Sequence, residues 1–319
     1  LPWFGKRELR REIAEFEAEG AKNRASGTWA ELAAKIKTAY AQRYYVQRNL
    51  QLMREILDLT RRLEKIAQAR YSGGLAALAD VIRAQVEQTG LQSELLVLEG
   101  ESRQLDARIN ALLARPAAAP LAAPERLRAL PAAANFDPAT LEERLRARNP
   151  VLFAETSRVQ AAERSRELVY RNRYPDVTVG AGPIQYQSAI REWELMVELN
   201  LPLQLSSRRS QEREAEATLA AARARKEATA NQLLAELSEN LVGIETARRT
   251  ELLASTSLLP EAELTYRAAL AGYETGKVDF ATLLEAQRKI RQARQSEIKA
   301  QSEARIRLGE IERLLGDDL

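Results

Sequence analysis

The 319-residue sequence contains no cysteine and no histidine. Thiolate and imidazole chemistry are thereby excluded, and with them most zinc and copper sites. Redox compartment stays open, because a chain without disulfides is compatible with any of them. Aromatic residues make up only 5% while charged residues reach 29%, the profile of long helices rather than of a compact mixed core. The 48 basic and 45 acidic residues are interspersed and leave a net charge of +3. With no basic stripe, the chain lacks the electrostatic footprint of a nucleic-acid binder. No run approaches the roughly 18 apolar residues of a membrane-spanning helix. Any membrane crossing would fall to strands closed into a barrel, since every backbone polar group must be paired in lipid. The sequence opens on Leu1 rather than methionine and shows no charged segment followed by an apolar one.

What is present is mostly helix. Segments rich in Ala, Leu, Glu, Arg and Gln predict helices over 7–69, 78–114, 138–170, 207–271 and 278–315. Apolar residues recur at spacings of three and four, as in Leu233, Leu237, Leu241 and Ile244, and again in Leu308, Ile311, Leu314 and Leu315. Such stripes mean helix packed on helix. Gly20 and Gly27 weaken the first helix without ending it. Between 115 and 138 the composition turns to Ala and Pro, and Pro116, Pro120, Pro124 and Pro131 forbid a continuous helix, which predicts a linker. Asp137 then stands as an N-cap before Pro138 at the first helical position.

From 173 to 203 the period changes to two. Val177, Val179 and Ala181 alternate with Asp176, Thr178 and Gly180; after a turn around 185–189, Trp193, Leu195, Val197, Leu199 and Leu201 alternate with Glu192, Glu194, Met196, Glu198 and Asn200. Two strands of about ten residues, apolar on one face, fit a hairpin crossing a bilayer. A hairpin with one face on a soluble core fits them as well. In either case a lone hairpin is unstable and needs partners.

The chain repeats itself. RYSGGLAALADVIRAQ aligns with GYETGKVDFATLLEAQ, so that Tyr71 matches Tyr273, Gly74 matches Gly276 and Ala84 matches Ala286. The offset persists to Ile109 and Ile311, and upstream Leu1-Pro2 matches Leu201-Pro202 with a small gap. Strand, proline, basic residues, long helix, Tyr-x-x-Gly turn and shorter helix therefore occur twice. The second copy is preceded by a further helix and strand, which predicts that an equivalent pair precedes Leu1 in the natural protein. At about 1.5 Å per residue the helix of 207–271 spans on the order of 95 Å, and the second and third helices end to end on the order of 100 Å. Two short helices thus match one long one, as a cylinder wall requires.

At these residues the chain resembles the TolC-like outer-membrane factor family, the channels of tripartite efflux and type I secretion. The segments that carry the resemblance are PWFGKRELR, LNLPLQLSSRRSQEREAEA, RARNPVLFAETSRVQAAERSRELVYRNRYPDVTVGAG and the two Tyr-x-x-Gly turns, the second followed by Leu-Leu-Glu-Ala-Gln. The implied fold is mainly α with a small β part: long antiparallel helical hairpins forming a helical barrel, plus transmembrane β-barrel strands, in a homotrimer with an internal repeat. The implied segments are the end of an outer-membrane strand (1–6), a periplasmic helical hairpin (7–115), an equatorial linker (116–137), a periplasmic helix (138–172), an outer-membrane β-hairpin (173–203) and a second periplasmic helical hairpin (204–319). Four strands per protomer belong to the family pattern, and only two whole ones are visible here. The implied partners are a periplasmic adaptor protein, an inner-membrane pump and outer-membrane lipid. The implied place is the outer membrane and periplasm of a Gram-negative bacterium. The resemblance implies a passive conduit for small molecules or metal cations and leans toward heavy-metal or cation efflux, although Met53 and Met196 are isolated and no metal site is visible; drugs and other small molecules stay open as cargo.

The resemblance puts the Tyr-x-x-Gly turns at the periplasmic tip, where the pore narrows and the adaptor docks. The matching positions are Tyr71, Gly74, Leu75, Ala76, Ala77 and Leu78, and Tyr273, Gly276, Lys277, Val278, Asp279 and Phe280. Gly74 and Gly276 suit the left-handed backbone that ends a helix, Asp279 suits a cap, and a ring of Asp279 carboxylates is a candidate gate. Glu192, Glu194 and Glu198 share one strand face and would point into a barrel lumen as acidic rings that favour cations. A plainly solvated polar face is the simpler account of them.

No catalytic constellation or cofactor site is visible. Glu12, Glu15 and Glu19 lie at helical spacing among basic residues and read as surface ion pairs. The competing reading is a soluble coiled-coil scaffold, which accounts for helices and charge but not for a period-two hairpin between two copies of a repeat.

Overall fold

A computed structural model describes residues 5–186, 189–201 and 205–319, the side chains of 184–186, 189–192 and 205 excepted. Its elements are α1 (Lys6–Ser72), α2 (Leu78–Leu112), a 3-10 turn (Ala133–Phe136), α3 (Pro138–Arg148), α4 (Pro150–Arg171), β1 (Asp176–Tyr186), β2 (Ala189–Asn200), α5 (Leu205–Leu253), a π turn (Ala254–Leu258), α6 (Leu259–Glu274) and α7 (Phe280–Leu315). No helix is long and apolar enough to cross a membrane among the described residues.

The chain divides into two compact units. One combines residues up to Trp29 with Leu141–Glu236; the other combines Ala30–Thr140 with Leu237–Leu319. In the first unit, α1, α4 and α5 pack closely. A Cβ on Gly20 would meet Ser157 at 3.5 Å, and one on Gly27 would meet Val151 at 3.4 Å, so both glycines allow α4 to approach α1. The start of α1 is tied to the start of β1 by Lys6, only 2% exposed, whose Nζ donates to Tyr174 O and Asp176 Oδ1 at 2.8 Å each. Burial of that ammonium is tolerable because two oxygens replace its water.

β1 and β2 pair antiparallel, with Val177 opposite Leu199, Val179 opposite Val197, Ala181 opposite Leu195 and Pro183 opposite Trp193. Val177, Val179, Ala181 and Pro183 therefore share one face with Leu199, Val197, Leu195 and Trp193, and Thr178, Gly180, Met196 and Glu198 share the other. Residues 1–4, expected to end an outer-membrane strand, and Pro202 lie outside the described residues; of the stretch 1–6, Gly5 forms a turn and Lys6 opens α1.

In the second unit, α1 and α7 form the centre with α2 and α6 against them. Leu63, Ala67, Val81, Ala84, Tyr273 and Phe280 form one buried cluster, and Met53, Ile56, Leu91 and Ile298 take part in another. The predicted stripe of Leu308, Ile311, Leu314 and Leu315 is buried throughout. Cross-helix pairs such as Gln85–Glu64 at 2.9 Å and Arg54–Glu99 at 3.6 Å make α1 and α2 antiparallel.

Two predicted helices are interrupted. The segment 138–170 is broken at Asn149, because Pro150 lacks an N–H and disfavours helical backbone before it. Asn149 turns the break into a cap, its side chain accepting from Leu152 N at 2.9 Å. Asp137 caps α3 in the same way, from Thr140 N at 2.9 Å. The segment 207–271 carries the π turn immediately before Pro260. A proline inside a helix displaces the preceding turn, and the hydroxyls of Ser255 and Thr256 bond the Leu252 carbonyl there at 3.2 and 2.7 Å.

The Ala/Pro-rich stretch is ordered rather than a plain linker. Asn110 Nδ2 donates to the carbonyls of Ala117 and Ala119 at 3.1 and 2.8 Å, and Arg115 donates to Pro120 O at 3.2 Å. Arg43 reaches the Leu121 and Ala122 carbonyls, Arg248 that of Pro131 and Arg305 that of Arg128. Helix side chains thus satisfy carbonyls that the prolines leave without backbone partners.

Candidate functional site

The two Tyr-x-x-Gly turns lie side by side in the second unit. Each closes with the same pair of bonds, offset by 202 residues: Gly74 N to Tyr71 O at 2.9 Å and Leu75 N to Arg70 O at 2.8 Å, then Gly276 N to Tyr273 O at 3.0 Å and Lys277 N to Gly272 O at 2.8 Å. Gly74 and Gly276 have φ of +70° and +74°, a region that side chains disfavour. The two turns therefore share one backbone geometry.

The side chains of the two turns differ. Tyr71 is 44% exposed, whereas Tyr273 is 3% exposed and its ring centroid lies 5.2 Å from that of the fully buried Phe280. Leu78, the counterpart of Phe280, is exposed, as are Leu75, Gly74, Ala77, Gly276 and Lys277; Ala76 and Val278 are half-buried. Val278 packs on Gly272, where an added Cβ would come within 2.5 Å of it. Asp279 accepts from Thr282 N at 2.9 Å and caps α7; Ala77 offers no such cap to α2. Hydrogen bonding by the Thr282 side chain, then by its backbone, lowers the Asp279 pKa.

Arg70 and Asp80, which sequence reasoning passed over, complete the site. Arg70 stacks its guanidinium 4.9 Å from the centroid of Tyr273, donates to Leu75 O at 3.2 Å and also bonds Glu274 O. The Tyr273 hydroxyl lies 3.4 Å from Asp80 Oδ2. Burial, then the Asp80 charge, raises the Tyr273 pKa. A signal was present: Arg70 aligns with Gly272, the largest change of side chain within the turn repeat.

Glu194 and Glu198 belong to the hairpin in the other unit and are exposed on its polar face. Glu192 lies in β2 opposite Ile184, and its side chain is outside the described residues. On the opposite face Trp193, Leu195, Val197 and Leu199 are exposed, Trp193 by 74%. Glu12, Glu15 and Glu19 pair with Arg164, Arg11 and Lys22 at 2.9, 2.7 and 3.9 Å. Among the described residues no three carboxylates come together as a metal-binding group.

The family model described as outer membrane efflux protein matches residues 1–115 and 141–317. The cobalt-zinc-cadmium resistance protein CzcC of Cupriavidus metallidurans is 28% identical over 300 residues, 91% of this chain and 69% of the relative. Among solved structures, the outer membrane protein VceC from Vibrio cholerae matches with a TM-score of 0.90 at 20% identity, over 100% of this chain and 77% of that one. The outer-membrane channel OprN matches with a TM-score of 0.89 at 22% identity, over 99% and 73%.

Proposed function

The chain belongs to the outer membrane efflux protein family, and from that premise we propose that three copies close their hairpins into one barrel and pass divalent metal cations through it. The protein is a subunit of an outer-membrane efflux channel, a passive conduit in a tripartite system. The observation that carries the proposal is the strand register. It puts Val177, Val179, Ala181 and Pro183 on the face of Leu199, Val197, Leu195 and Trp193, an apolar band about one bilayer crossing long that is exposed except at the half-buried Val177. An exposed apolar patch of this kind marks a surface that meets lipid or another chain.

On this reading the band faces outer-membrane lipid, and Glu192, Glu194 and Glu198 line the lumen as acidic rings. The helical hairpins run through the periplasm. The paired turns form the narrow end, Asp279 contributes a carboxylate ring there, and the exposed Tyr71, Leu75 and Leu78 meet the adaptor, with the pump beyond. Support for metal cations as cargo comes from the likeness to CzcC. On this reading the carboxylate rings guide the cations by charge.

Single-channel recording in planar bilayers tests this. The purified protein should conduct with a preference for cations, and E194Q/E198Q should reduce that preference several-fold while leaving conductance measurable. Absence of cation preference in the unmodified protein, or no change in the double variant, overturns the lumen assignment.

A further inference from the structure

Away from the turns and the hairpin, the helices of the first unit enclose a groove that no role described so far uses. It holds about 730 Å³ between α1, α4 and α5, a volume in the range of small-molecule sites. It exists because small residues occupy positions that face it. Gly20, Ala161, Ala162, Ala221 and Ala222 line it, where larger side chains would close it.

The two ends of the groove differ in chemistry. Half-buried Ile13 and Phe16 line one end. Arg24 lies farther along α1, about 12 Å beyond Phe16 at the helical rise, and Arg158 and Arg225 join it from α4 and α5. A Cβ on Gly20 would meet Ser157 at 3.5 Å and Arg24 Nη1 at 3.6 Å, so Arg24 and the α4 turn that carries Arg158 border the same glycine. Arg225 lies 3.5 Å from Glu155, which sits in that part of α4 too. Among the described residues, the side chains of Arg24 and Arg158 make no hydrogen bond or ion pair. Glu17 also lines the groove and brings an opposing charge.

We infer that this groove is a binding site for single-chain anionic amphiphiles, with a carboxylate or sulfate head among the arginines and an alkyl chain along the alanines toward Phe16. A guanidinium fork matches a carboxylate or sulfate. An exposed ion pair alone holds little, so a bare anion would not stay. The chain adds apolar burial in proportion to its length. The site stands on the helices alone and does not depend on the cation reading of the hairpin.

Titration calorimetry on the full chain in phosphatidylcholine discs, with empty discs subtracted, tests the site. Octanoate should bind saturably, and decanoate about tenfold more tightly, the gain expected of two further buried methylenes. Octanol and acetate, which each offer half of the ligand, should bind about tenfold more weakly than octanoate or less. R24A/R158A should weaken octanoate about tenfold, and E17Q should strengthen it several-fold. A221L, which adds bulk at an exposed position in the groove, should abolish binding with the arginines intact. An unchanged circular-dichroism melt shows that each variant keeps its fold. Absence of saturable octanoate binding, octanol or acetate binding as tightly as octanoate, or indifference to both A221L and R24A/R158A overturns the site. Competition by phosphatidylglycerol added to the discs overturns the single-chain ligand.

Discussion

At the scale of single residues, the repeat yields pairs whose identities match in position but not in consequence. Phe280 is fully buried against Tyr273, while Leu78 at the equivalent place faces solvent. F280A should therefore cost about 3–5 kcal/mol and L78A no more than about 0.5 kcal/mol, measured by chemical unfolding of the detergent-solubilised protein. Asp279 presents a different contrast. Its carboxylate is ionised below the usual range because Thr282 hydrogen-bonds the charged form. A folded-state pKa held below the unfolded value stabilises at higher pH, and that stabilisation fades as pH falls through the folded value. Protection of the first amides of α7 should thus hold above the ordinary aspartate pKa of about 3.9 and decay only below it. D279N should keep the cap and lose this pH dependence, because asparagine caps as well as aspartate. D279A should lose both. A conductance change in D279N would then be owed to charge and not to helix fraying.

At the scale of elements, the stretch between α2 and α3 shows how an unpromising composition becomes ordered. Four prolines remove N–H donors and block helix, so its carbonyls must find other partners. Arginines and an asparagine from the surrounding helices supply them, and Arg43, itself buried, holds Leu121 O, Ala122 O and the Asp106 carboxylate together. R43A should release this strap. Limited digestion with a protease that cuts after alanine should cleave within 115–132 about tenfold faster than in the unmodified chain, with α1 and α2 peptides unaffected. Equal rates would mean that Asn110 and Arg305 suffice without it.

At the scale of the whole molecule, the hairpin has one face that nothing in the described chain covers. A two-stranded sheet is marginal by itself, and its exposed tryptophan is a built-in reporter. In a W3F/W29F background, Trp193 emission should shift to the blue in lipid and be quenched strongly by brominated acyl chains, as expected for an aromatic facing a bilayer. Emission like that of free tryptophan, unresponsive to brominated lipid, would place the ribbon in water.

Helices and hairpin were legible residue by residue, because their cause is local. Composition and the spacing of Leu, Ile and Val decide whether a segment coils or extends, and period two decides which face of a strand is apolar. The pairing of those faces followed from the same alternation, since one slip of register would have put Leu195 among glutamates. The glycines of the two turns, Gly74 and Gly276, were also legible, because a left-handed turn demands them wherever it lies. Other features depend on meetings between distant segments. Nothing in the run Arg70-Tyr71 tells that its guanidinium will lie on Tyr273, nor that Phe280 will be buried and Leu78 left outside. The strapped prolines, the cap at Asn149 and the π turn ahead of Pro260 likewise belong to packing. A side chain's partners are chosen by whatever surface folding brings against it, and that choice is written in no single stretch of chain.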